Sequence, residues 1–209
     1  MELIPLFPLE IVVFPGERLN LYIFEPRYKQ LINECEEKDL AFGIPFYQKD
    51  RPLEYGTMVE LVEIANKYDD GRMDIRTVGI KPFQIKRFRR EFPDRLYPGG
   101  YVEYPYWERQ GETELQREIL KLIDNLYRTL EVKKLPKEFE GNFTTFEIAH
   151  KVGFSQEEEY KFLQIPTEVE RQKRMLQHLQ HLIPRVVEKD EIRKKVQMNG
   201  HFKNLKPPI

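Results

Sequence analysis

The chain has 209 residues, 40% of them hydrophobic and 33% charged, enough for one large domain or two small ones without a disulfide or metal staple. Lys and Arg number 34 against 35 Asp and Glu, so the net charge of −1 lacks the positive field that nucleic acid or an anionic membrane would attract. No apolar run approaches the roughly 20 residues that span a bilayer, no signal peptide is expected at the N-terminus, and the single cysteine, Cys35, has no internal disulfide partner. A cytoplasmic protein is expected.

Residues 3–9, Leu-Ile-Pro-Leu-Phe-Pro-Leu, stay extended because each proline removes a donor and pushes its predecessor out of the helical region. The β-branched run Ile11, Val12, Val13, Phe14 reads as a strand stopped by the turn pair Pro15-Gly16. Leu19, Leu21 and Ile23 alternate with Asn20, Tyr22 and Phe24, the pattern of a strand with one buried face. Pro26 suits the first position of a helix, and Tyr28, Leu31 and Ile32 recur at helical spacing up to Cys35. Strand character returns over 41–47, 57–65, 73–88 and 101–107, with Asp69-Asp70-Gly71 as a hairpin turn. Many short strands and one early helix predict a small closed or semi-closed barrel.

Around Arg109, Gln110, Gly111 and Glu112 the apolar period lengthens. Leu115, Ile119, Leu122, Ile123, Leu126 and Leu130 form one helical stripe. Residues 133–142 read as a loop. Three later helix starts carry capping boxes, Thr144 with Glu147, Ser155 with Glu158, and Thr167 with Glu170. The last helix has its stripe at Val169, Leu176, Leu179, Leu182, Ile183 and Val186, and Pro184 predicts a kink or break near Arg185. The predicted organisation is a β-rich domain over 1–110, a helical domain over 111–196 and a flexible tail over 197–209.

Catalytic constellations are missing from the sequence. Its only serine, Ser155, already serves as a helix cap, and no Gly-x-Ser-x-Gly elbow, Gly-x-x-x-x-Gly-Lys-Ser/Thr loop or Gly-x-Gly-x-x-Gly turn occurs. Cys35 stands beside Glu34, Glu36 and Glu37, which raise a thiol's pKa and blunt it. Glu147-x-x-His150 has di-iron helical spacing in a single copy, while His178 and His181 share a helix face that reads as solvated. Neither cofactor nor metal is expected, and the chain is read as non-enzymatic.

The opening is the most specific stretch. Ile4-Pro5-Leu6-Phe7-Pro8-Leu9, then Val12-Val13-Phe14-Pro15-Gly16, then Leu19-Asn20-Leu21-Tyr22-Ile23-Phe24-Glu25-Pro26-Arg27-Tyr28 closely resembles the start of the Lon protease N-terminal, or substrate-binding, domain. Gly56-Thr57-Met58-Val59 through Ile64, and Asp70-Gly71-Arg72-Met73 through Ile85, continue the resemblance, and the stretch from Leu115 to Val187 follows it in pattern only. The resemblance implies an α+β fold, a PUA-like β pseudo-barrel followed by a helical bundle. It also implies a stand-alone substrate-binding domain without the ATPase and protease domains, binding unfolded or client proteins and working with a separate ATP-dependent protease.

Within the motif, the prolines and Gly16 read as turn formers, and Phe7, Val13, Phe14 and Leu21 as barrel core. The candidate binding residues are aromatic, Tyr101, Tyr104 and Trp107 with Tyr97 behind them, because tyrosine and tryptophan contribute interface area at little entropic cost. As a strand, Tyr101 and Trp107 would share one face and Tyr104 and Tyr106 the other. Phe46 and Tyr47 are a second group. The alternative is RNA binding, since PUA-like barrels host RNA-modifying proteins and Lys86-Arg87-Phe88-Arg89-Arg90 mixes bases with an aromatic.

Overall fold

The computed structural model describes residues 1–92, 94–132 and 143–202, of which 193–202 by backbone alone. The loop expected over 133–142 lies outside the described residues. Six strands come first: β1 (Glu2–Pro5), β2 (Arg18–Ile23), β3 (Phe42–Gln48), β4 (Arg51–Lys67), β5 (Met73–Arg89) and β6 (Gly99–Glu103). Helix α1 (Pro26–Lys38) interrupts them, and α2 (Thr113–Thr129), α3 (Thr145–Ile148), α4 (Gln156–Leu163) and α5 (Glu168–Phe202) follow. A 3-10 turn, Ala149–Lys151, joins α3 to the next segment.

The strands form one antiparallel sheet in the order β1-β6-β5-β4-β3, with β2 paired to the first half of β5. It is not closed by a continuous ladder. Instead the chain beyond β1 crosses to β3 through two parallel bridges, Leu6 to Gly43 and Leu9 to Phe46. Pro8 has no N–H to give, so the crossing is held by its neighbours. The Phe7 amide donates to the Gly43 carbonyl (2.8 Å), and the Tyr47 amide to that of Leu9 (2.7 Å). The molecule is thus α+β, a curled sheet followed by helices, as the apolar periods predict.

Local signals explain most boundaries. Pro26 opens α1, and Asp39 closes it in the left-handed region. The β4–β5 hairpin turns at Gly71 (φ +78°), where the Gly71 amide donates to the Tyr68 carbonyl at 2.8 Å. Two of the three capping boxes form in full, and the third, at Thr167, through the bond to its hydroxyl. Glu158 Oε2 accepts from the Ser155 amide at 3.0 Å, Glu147 Oε1 from that of Thr144 at 3.3 Å, and the Glu170 amide donates to Thr167 Oγ1 at 3.3 Å.

Three expectations are corrected. The run Ile11 to Phe14 is no strand. Val12, Val13 and Phe14 are buried, but the segment is fixed by bonds outside any ladder: Phe14 donates its amide to Glu17 Oε2 at 2.9 Å, and Val13 accepts from the buried Thr57 hydroxyl. The last strand stops at Glu103, short of Tyr104, Tyr106 and Trp107, because the chain leaves the sheet before Pro105 to reach the helices. Pro184 does not break α5. It lies on the exposed face, where the carbonyl it deprives of a partner can turn to water. The helix runs on to Phe202, into the segment read as a tail, and 203–209 lie outside the described residues.

The core crosses the boundary between strands and helices. One apolar cluster joins Val12, Phe14 and Phe46 to Ile119, Ile123, Phe146, Phe162, Met175 and Leu179. The connector between β6 and α2 is pinned to α5. Arg171, fully buried, donates from Nη2 to the Glu108 carbonyl and from Nη1 to that of Ile165 (2.7 Å), and its guanidinium lies 4.1 Å from the Phe146 ring centroid. Its partner Glu168 (2.9 Å) also accepts from the Thr145 amide at 2.7 Å and so caps α3.

Candidate functional site

A cleft of about 450 Å³ opens at one end of the sheet, lined by residues 7–9, 25–28, 47–52 and 88–98 in part. Two blocks of the opening motif build its walls. Phe7 and Tyr28 stack with ring centroids 3.9 Å apart, and the Arg27 guanidinium sits 4.7 Å from the Tyr28 ring. Tyr47, Pro52 and Phe88 are half-buried along it, and Leu96 stands 65% exposed at its mouth.

The charges at the rim balance. Arg27 pairs with Glu25 at 2.7 Å, while Arg90 and Asp50 make no ion pair among the described residues. Burial raises the Tyr28 hydroxyl above its ordinary pKa, so it stays protonated. The phenyl, phenol and aliphatic side chains along its walls suit capture of apolar or aromatic groups.

A second cleft, about 440 Å³, lies between the turn before β2 and α3, and it contains His150. Nδ1 of His150 meets Glu159 Oε1 at 2.7 Å and Nε2 meets Glu17 Oε2 at 3.1 Å. Burial works against the charge, but hydrogen bonds to the two carboxylates prevail and raise the pKa to about 9. At neutral pH this imidazole is a held cation. Glu147, three residues before it, serves the α3 cap, and among the described residues no group of three His, Cys, Asp or Glu side chains could hold a metal ion.

Two further reactive types are occupied. Ser155 Oγ donates to Glu158 Oε2 at 3.0 Å. Burial, then Glu34, pushes the Cys35 thiol up to about 12. His178 departs from the solvated-face reading: it is buried, its Nε2 2.9 Å from the Val152 carbonyl and its ring 4.1 Å from that of Phe154. Three residues apart, His178 and His181 are neighbours about 60° apart around the helix, but His178 falls on the buried stripe and His181 faces water.

The model of the ATP-dependent protease La (LON) substrate-binding domain matches residues 3–181. The chain belongs to this family. Among solved structures, the Lon N-terminal domain protein from Xanthomonas campestris superposes with a TM-score of 0.63 at 25% identity, covering 84% of this chain and 98% of that one. The N-terminal domain of the Mycobacterium avium complex Lon protease gives 0.60 at 12% identity over 86% and 98%, a likeness of fold. Chicken (Gallus gallus) protein cereblon is 26% identical over 91 residues, 42% of this chain and 20% of that protein.

This LON substrate-binding domain does not gather the five aromatic candidates into one place. Tyr47 lines the first cleft. Tyr97 is 3% exposed and belongs to the core, its hydroxyl donating to Glu34 at 3.1 Å, so it is no surface anchor. Tyr101 is half-buried on β6 between Leu3 and Arg87. Tyr104 is half-buried, donating to Glu2 at 2.9 Å with Lys81 Nζ 3.6 Å from its ring centroid. Trp107 packs on the helical core, 6.4 Å from Phe146. Of the other candidates, Phe46 is buried 5.6 Å from Tyr160. Sequence reasoning passed over Leu96, weighed Phe88 only as the aromatic of the basic run, and read Phe7 as core alone. The one available signal was that the Phe7-Pro8-Leu9 and Glu25-Pro26-Arg27-Tyr28 blocks carry the family resemblance together.

Proposed function

We propose that this substrate-binding domain is a non-catalytic module that captures exposed apolar segments of unfolded or client proteins, in the cytoplasm, for a separate ATP-dependent protease. The observation that carries the reading is the first cleft, which has aromatic and apolar side chains along its walls, balanced charges at its rim, and walls built from the two motif blocks. Clients differ in sequence, and a broad apolar surface tolerates that variation where fixed charge pairs would select against it. Tyr47, Phe88 and Leu96 are the anchors proposed here; Tyr101, Tyr104 and Trp107 lie outside this cleft. Fluorescence anisotropy with a labelled unfolded polypeptide tests the reading. Saturable binding that changes little with salt supports it, and no binding overturns it.

RNA binding has one observation in its favour: Arg87, Arg89 and Arg90 are exposed and form no ion pair among the described residues. Lys86, by contrast, is neutralised by Glu103 at 3.3 Å. The same titration with a labelled RNA separates the readings, because phosphate contacts weaken steeply as salt rises.

A further inference from the structure

Strand β2 is bonded to β5 along one edge, and among the described residues no backbone hydrogen bond reaches its other edge. Folded proteins guard such edges with prolines, charges or bulges. From Leu19 to Ile23 this strand has none of these, and its register against β5 is uninterrupted. The solvent face of β2 carries an exposed aromatic patch that extends toward the β4–β5 hairpin. Tyr22 is 47% and Phe24 59% exposed, their ring centroids 6.0 Å apart, and Tyr68 of the β4–β5 hairpin meets Tyr22 edge-on at 6.4 Å. Arg72 donates to the Tyr22 hydroxyl at 2.6 Å and fixes that ring. Contiguous exposed aromatic surface of this kind marks an interface.

We propose that two copies of this chain join through antiparallel pairing of β2 with β2 about a two-fold axis. Leu19, Leu21 and Ile23 face the core, so the pairing must keep Asn20 and Tyr22 of both copies on the solvent side, which excludes every register that shifts by one residue. Of the registers that remain, the two that overlap most of β2, centred on Asn20 or on Leu21, set Arg18 of one copy opposite Tyr22 or Phe24 of the other. The Arg18 side chain is exposed and makes no hydrogen bond or ion pair among the described residues, so its guanidinium is available to lie on the second copy's ring. Because the interface is isologous, this contact occurs twice.

Sedimentation velocity on the full chain over a range of concentrations tests the proposal. The wild type should pass from monomer to dimer as concentration rises. Arg18→Glu and Phe24→Glu should each shift the boundary back to the monomer, with far-UV spectra and melting unchanged. Arg18→Glu combined with Phe24→Arg should restore the dimer by exchanging the contact for an ion pair. A wild type that stays monomeric overturns the proposal, as does a dimer that survives both single variants. Protection of β2 amides on adding an unfolded peptide to a monomeric wild type would assign the edge to another occupant and equally overturn it.

Discussion

Glu17, in the turn before β2, and His150, in the 3-10 turn after α3, meet at 3.1 Å and tie the sheet to the helices. With Glu159 on the other ring nitrogen, and the Phe14 ring 4.9 Å away, they form a clamp that works while the imidazole is charged. Arg18, Glu147 and Lys151 line the same cleft.

The clamp predicts a pH dependence. Folding raises the His150 pKa from 6.5 to about 9, so its stabilisation is fully present below the lower value and is lost as pH rises through the upper one. The melting temperature of the wild type should therefore exceed that of His150→Ala at pH 6 (~6, below the unfolded pKa), and the gap should close toward pH 10 (~10, above the folded pKa). A gap that widens with pH would contradict the assignment.

The buried pair Arg171 and Glu168 makes a second prediction. Burial lowers the Arg171 pKa and raises that of Glu168, and the ion pair between them and their hydrogen bonds to the backbone oppose both shifts. Arg171→Ala should cost about 3–5 kcal/mol in denaturant unfolding. A loss below about 1 kcal/mol, the range of an exposed pair, would show that the network is not closed as described.

Gly79 is the third. A Cβ there would stand 2.2 Å from the Phe14 carbonyl oxygen, where Gly16 (φ +86°) turns the chain against β5. The Gly16 amide donates to the Gly79 carbonyl at 2.8 Å, so the segment cannot simply retreat. Gly79→Ala should lower stability by about 1–3 kcal/mol, read by thermal or chemical melting, and a neutral change would mean the Phe14 segment moves freely.

Ser155→Ala should cost about 1 kcal/mol through loss of the α4 cap, measured in the same way, and leave peptide binding unchanged. Loss of binding at constant stability would assign Ser155 a role other than capping.

Local chemistry made much of this fold readable in advance. Pro26, the three capping boxes and Gly71 each act within a few residues of chain, so the sequence carries their full cause. Phe14 was misread, and Pro184 leaves its helix unbroken, because what decides them lies elsewhere: the Thr57 hydroxyl on another strand, and the side of α5 that happens to face water. The same limit applies to the cleft. Tyr47 could be picked out as a half-exposed aromatic near a turn, but Phe88 and Leu96 join it only when the end of β5 folds over the 7–9 crossing. Tyr97 looked equivalent to its neighbours until Glu34 of α1 took its hydroxyl.

The most direct test of the binding account compares two exposed side chains. Leu96, 65% exposed, stands at the mouth of the cleft, and Tyr106, 71% exposed, lies outside it. Both can be truncated to alanine with little effect on melting, because neither fills the core. Anisotropy with a labelled unfolded polypeptide should show Leu96→Ala weakening affinity by about 1–2 kcal/mol and Tyr106→Ala leaving it unchanged. Full affinity in Leu96→Ala together with a loss in Tyr106→Ala would place the binding surface on the β6–α2 connector and contradict the assignment to the cleft.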